Sequence, residues 1–228
     1  MHPIERPKSL TEVVLNRLRN LIVSGELELG AVLSERQLAA QLKVSKTPVR
    51  EALAQLRDQG LVTIVPQKGA SVFTLSAREV IAMCEFRLAI ESSALRLALA
   101  RNRAGLAEEI DRIVSDMKAA RKAGDTRAYL ALDTDFHAAF FRHCGNPYLS
   151  DSYTRYVGKI AALRTHLAVK PLHTKLSFEE HERLCAAIGE GALDQAEAIL
   201  ADHIGRTRET YAEEIEDIAA ADRISDTG

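Results

Sequence analysis

The sequence is poor in cysteine. Its three thiols, Cys84, Cys144 and Cys185, are odd in number and widely spaced, which excludes both a disulfide framework and a CxxC metal or redox motif. Reduced core thiols are expected. The opening stretch, MHPIERPKSL, lacks the apolar segment of a secretion signal, and no apolar run approaches the ~18 residues of a membrane span. A cytoplasmic protein without a membrane partner is therefore expected. There is also no large surplus of either charge, because 30 Lys and Arg face 32 Asp and Glu for a formal net of −2. No internal repeat or low-complexity tract is evident.

What is present is enough for cores: 228 residues, 46% of them hydrophobic, allow one large or two modest domains. The charge is unevenly placed. Residues 1–76 carry 10 basic side chains against 7 acidic ones, and the remainder carries 20 against 25. A basic N-terminal part joined to an acidic remainder suits a DNA-binding domain that carries a second domain with other business.

The stretch SKTPVREAL, Ser45 to Leu53, reads as a helix suited to a DNA groove. Ser45 is an N-cap residue, Pro48 falls in the first turn, and Val49, Leu53 and Leu56 recur on one face. Lys46, Thr47 and Arg50 project from the positively polarised helix end, which suits phosphates and guanine edges. Taken alone, the nonapeptide also fits an ordinary amphipathic helix, so its surroundings decide. Upstream, a helix is signalled from Ser9, with Leu10, Val14, Leu18, Leu21 and Ile22 on one face, and Ser34 caps a short helix carrying Leu38, Ala39 and Leu42. Two short helices joined by three or four residues make a helix-turn-helix. Gly60 stops the second helix, and two short β-branched runs, Leu61 to Val65 and Ser71 to Thr74, flank a turn at Pro66 to Ala70 as a wing. Lys68 and Gly69 at its tip suit close approach to a phosphate backbone.

The segments GELELGAVLSERQLAAQL, KVSKTPVREALAQLRDQGLV and PQKGASV together resemble the N-terminal domain of the GntR family of bacterial transcription regulators, over residues 9–76. That resemblance implies a winged helix-turn-helix in which Arg36, Lys46, Thr47, Arg50 and Gly69 take DNA-contacting places. Three departures stand out. Leu29 replaces a usual Pro, Lys46 stands where Arg is common, and Lys43 replaces a usual turn Gly where a left-handed backbone would cost about 1 kcal/mol.

From Ser76 the pattern is helical almost throughout, with segments near 77–101, 105–122, 125–144, 147–168, 177–190 and 192–219 and a frayed tail at 221–228. Ser177 and Glu180 read as a capping box opening the fifth segment. The expected fold is thus mainly α, a winged helix followed by an all-helical bundle over 77–220.

Polar residues interrupt the apolar stripes of this bundle. Asp133 and His137 share a stripe with Leu130 and Phe141, His181 one with Phe178, Cys185 and Ile188, and His203 follows Ala196 and Leu200 at the same phase. A buried carboxylate needs a cation, a metal or several donors, and three imidazoles with one carboxylate form a reasonable divalent-metal set. Satisfied core or surface histidines are the alternative. The segments LDTDFH, CGNPYL and EEHERLCAAIGEGALDQAEAILADHI resemble the FCD ligand-binding domain of the FadR-type subgroup of the same family, over about residues 77–220. The resemblance implies that Asp133, His137, His181 and His203 hold a divalent ion; zinc, nickel and manganese all suit the donors. Arg87, in a stripe with Val80, Met83, Ile90 and Ala94, meets either an internal carboxylate such as Glu91 or Asp133, or the carboxylate of a small organic-acid effector.

These readings predict a homodimeric, ligand-responsive regulator, a repressor by the family's commoner mode, on a near-palindromic double-stranded operator. The alternatives are a dimer with a structural or signalling metal and, remotely, a metal hydrolase, for which no general acid or base can be placed.

Overall fold

The computed structural model describes residues 9–65, 67, 69–167 and 171–225. The chain divides into two compact units, Met1–Thr74 and Leu75–Gly228.

The first unit runs α1 (Leu10–Val23), β1 (Val32–Leu33), α2 (Glu35–Leu42), α3 (Lys46–Asp58), β2 (Val62–Val65) and β3 (Gly69–Val72). Ser9 caps α1 through its hydroxyl, which accepts from the Glu12 amide at 3.1 Å. Val14, Leu18 and Ile22 of α1 are buried with Val49, Leu53 and Leu56 of α3 and Leu38 of α2. Leu10, expected on that face, is instead 53% exposed, and Leu15 is buried in its place, because the buried stripe begins one turn later. The antiparallel sheet has the order β1-β3-β2, with Val65 opposite Gly69 and Thr63 opposite Ser71 at the hairpin, and Val32 also opposite Ser71. The strand β1 was not expected. Its two residues are too few to show an alternating pattern.

The second unit contains α4 (Ala77–Ala123), α5 (Thr126–His143), α6 (Pro147–Leu167), α7 (Pro171–Glu190) and α8 (Leu193–Ser225). A capping box opens α4, the Ser76 amide donating to Glu79 and the Glu79 amide to the Ser76 hydroxyl. The break expected at Gly105 falls at Asn102, where φ −149° and ψ 52° interrupt α4. The Asn102 Oδ1 accepts from the Gly105 amide at 3.4 Å, and a Cβ at position 105 would lie 2.8 Å from the Asn102 side chain. The glycine therefore makes room for the asparagine that caps the resumed helix.

Three expectations for this unit need correction. The fifth helix starts at Pro171 rather than Ser177, so Ser177 and Glu180 lie inside α7 and form no capping box. The last helix continues to Ser225, through part of the segment read as a tail. The two segments 77–101 and 105–122 form one run with a kink. Helix α4 packs along α5, α7 and α8 around a core that includes Leu95, Leu106, Ile110, Phe136, Phe140 and Leu200. All three cysteines are free thiols.

Candidate nucleic-acid interface and metal centre

The turn between α2 and α3 is made by a left-handed residue, Lys43, at φ 53° and ψ 44°. That conformation aims α3 outward. Pro48 and Val49 are buried, whereas Lys46, Thr47 and Arg50 are exposed beside the helix N-terminus, and Arg36 is exposed on α2. Ser45 has the extended backbone of an N-cap, yet its hydroxyl makes no capping bond. Arg50 is 71% exposed but its fork is already held, Nε and one terminal nitrogen donating to the Glu35 carboxylate at 3.2 and 3.0 Å. Gly69 sits at the wing tip with φ 94°, and a Cβ there would have no atom within 4 Å. Its neighbour Lys68 lies outside the described residues.

In the second unit, α5, α7 and α8 bring His137, His181 and His203 together, all buried, so that one ring nitrogen from each lies within 4.8 Å of the others. The hydrogen bonds decide which nitrogens face inward. The Nδ1 of His137 contacts the Glu91 carboxylate at 2.7 Å, and the Nδ1 of His203 contacts that of Glu180 at 2.7 Å. A carboxylate only accepts, so each Nδ1 carries the proton and each Nε2 keeps a lone pair. Carboxylates behind imidazoles in this way orient metal ligands and strengthen them as donors. Neither the Nε2 of His137 nor either nitrogen of His181 has a hydrogen-bond partner, although all are buried.

Asp133 lies beside the cluster rather than within it. Its Oδ1 is 3.6 Å from the His181 Nε2, and its Oδ2 forms an ion pair with the Arg164 Nε at 2.7 Å. Two ligands of one ion at about 2.0–2.2 Å from it stand about 3–3.5 Å apart, so the Asp133 and His181 spacing fits shared coordination. Buried imidazoles with free lone pairs, backed by carboxylates and flanked by a third acid, fit a divalent ion. The electrostatics agree. Burial pushes His137 down to about 4, against the attraction of Glu91, and burial pushes His181 well below the ordinary histidine value. Both are therefore neutral and ready to donate near neutrality. Burial alone would raise Asp133, but the Arg164 guanidinium outweighs it and helps hold the carboxyl below its ordinary range.

Arg87 takes the internal alternative. It is 2% exposed, and its Nε donates to Glu91 at 2.9 Å. The guanidinium lining the adjoining cavity is that of Arg164. This small cavity, partly open to solvent, is lined by Tyr129, Asp133, Arg164, Ser177, His203 and Thr207 among others. Arg164 escaped the sequence reading, although Tyr153, Val157, Ile160 and Arg164 share one helical phase. Glu180 was also missed, because its spacing from Ser177 mimics a capping box.

A winged helix with an outward recognition helix, joined to a helical bundle around a buried histidine cluster, defines a two-part DNA-binding regulator. Comparison with known proteins gives the family. Residues 10–72 match the bacterial regulatory proteins of the gntR family, and residues 82–206 match the FCD domain. The chain belongs to the FCD-containing GntR family and is a DNA-binding transcription regulator, not an enzyme. It is 31% identical over 202 residues to a protein named probable D-xylose utilization operon transcriptional repressor, from Paenarthrobacter nicotinovorans, covering 86% of this chain and 88% of that one. It is 30% identical over 231 residues to the transcriptional repressor NanR of Klebsiella aerogenes, covering 92% and 87%. Among solved structures, Escherichia coli McbR/YncC superposes with a TM-score of 0.79 at 23% identity, covering 91% and 99%, which speaks to the fold. No helix among the described residues is long and apolar enough to cross a membrane.

Proposed function

We propose that the protein is a cytoplasmic homodimeric repressor whose operator affinity changes when a small carboxylate binds beside a divalent ion in the second unit. The observation that carries this reading is the convergence of three buried imidazoles, with unpartnered ring nitrogens on His137 and His181, next to a cavity. His137, His181 and His203 would hold the ion, with Asp133 as a fourth ligand; the ion would supply a fixed positive charge for an anion in the cavity. The effector's carboxylate would meet Arg164, since Arg87 is committed to Glu91. On DNA, Lys46, Thr47 and Arg50 would read bases in each half-site of a near-palindrome, while Arg36, Gly69 and Lys68 would serve the backbone.

A thermal-shift screen of the metal-loaded protein against small carboxylates, repeated with His181→Ala, tests the reading. A ligand at 100 times its dissociation constant adds about 2.7 kcal/mol, enough to move a midpoint by several degrees. The expected result is that at least one acid shifts the wild type and leaves the variant unmoved. If no acid acts while chelation alone collapses stability, the ion is structural or is itself the signal.

A further inference from the structure

Three ion pairs surround the histidine cluster among the described residues. Arg87 pairs with Glu91, Arg164 with Asp133 and Arg206 with Glu180. The first two pairs are almost wholly buried, and the third is mostly so. Imidazoles coordinate as neutral bases, so the cluster itself adds nothing to this balance. The total does not depend on which group pairs with which: should Asp133 turn from Arg164 to an ion, Arg164 would be left with the unmatched charge instead.

A divalent ion in the cluster therefore brings two positive charges for which these pairs leave no spare carboxylate among the described residues. Uncompensated buried charge is costly, and the cheapest remedy is an anion in the same enclosure. The rest of the cavity wall favours the same sign. One terminal nitrogen of Arg164, Nη2, is buried and has no hydrogen-bond partner among the described residues. The Tyr129 and Thr207 hydroxyls donate to backbone carbonyls, and Asp133 is the one carboxylate lining the cavity among the described residues. Arg121 lies over the Tyr129 and Phe178 rings, donates to the Thr174 carbonyl, and pairs with no carboxylate among the described residues.

Resting on the carboxylate-and-metal reading above, we infer that the effector is a dianion, a small dicarboxylate, in preference to a monocarboxylate of the same length. One carboxylate compensates part of the ion's charge beside Arg164. The second compensates the remainder within the same cavity.

Calorimetric titration of the metal-loaded, full-length protein at pH 7.5 tests the inference with acids matched in carbon number: malonate with propionate, succinate with butyrate, glutarate with valerate. At the chain length that fits, the dianion should bind at least 10-fold more tightly than its monoanion, and chelating the metal should abolish the gap. Monoanions that bind as well as dianions at every length would overturn the charge inference while leaving the carboxylate site standing. A dianion preference that survives chelation would overturn it too, since the ion would not be its source. Binding of neither class would bring down both the inference and the reading beneath it.

Discussion

Lys43 shows how one residue can sit against its own preference for the sake of a neighbouring helix. Its left-handed backbone costs about 1–2 kcal/mol for a residue with a Cβ, and the turn that aims α3 requires it. Glycine removes that strain but gives up about 0.5–1 kcal/mol to the freedom of the unfolded chain. Lys43→Gly is therefore expected to stabilise the winged helix modestly, by about 0.5 kcal/mol, read as a higher urea midpoint; a lower midpoint would mean that the lysine side chain contributes more than the strain removes. His137 makes a second point at this scale. Burial lowers its imidazole from the ordinary 6.5 to about 4, so between those values the unfolded chain binds a proton that the folded protein refuses. Its contribution to the metal-free protein is thus full above pH 6.5 and is lost as the pH falls toward 4. Thermal midpoints of the chelated protein should fall across that window, and less steeply in His137→Gln. Equal slopes would show that the acid response lies elsewhere.

At the scale of elements, the cluster is assembled by four helices although only three bear its imidazoles. Helix α4 contributes Glu91, which grips the back of His137 from α5 and is gripped in turn by Arg87. Glu91→Gln keeps the shape and removes the charge. It also leaves the buried Arg87 charge without its partner, so it should lower the thermal midpoint as well as weaken metal affinity by about 10- to 100-fold, the usual loss for a carboxylate behind a ligating histidine. Competition against a chromophoric chelator measures this, and unchanged affinity would reduce Glu91 to packing. The sequence made much of this legible, for a physical reason: Asp133, His137, His181 and His203 each occupy the phase of an apolar stripe, where a polar residue must have a purpose. Arg164 carried the same signal but belonged to no quoted segment. Glu180 was hidden because a local pattern, serine followed three residues later by glutamate, competes with a tertiary role. The kink was legible only to within a few residues, since Gly105 marks space left for Asn102 rather than the bend itself.

At the scale of the molecule, the uneven charge of the sequence maps onto the two units, a basic winged helix and an acidic bundle. Counterion release at phosphates supplies much of a DNA-binder's affinity, so the positive charge is most useful in the unit that meets DNA. The acidic surplus of the bundle discourages it from competing for the same backbone. The two compact units meet after Thr74.

The kink at Asn102 also changes what α4 is mechanically. It divides α4 into two segments, both anchored in the core, by Val80, Leu95 and Ala98 before the break and by Ile110, Ile113 and Met117 after it. Glu91, in the first segment, lies about 22 Å along the helix from Ser76 at a rise of 1.5 Å per residue. A tilt of about 5° about Glu91 would sweep the Ser76 end through roughly 2 Å of arc. A shift imposed on Glu91 through its contact with His137 would thus be magnified at the Ser76 end of the helix.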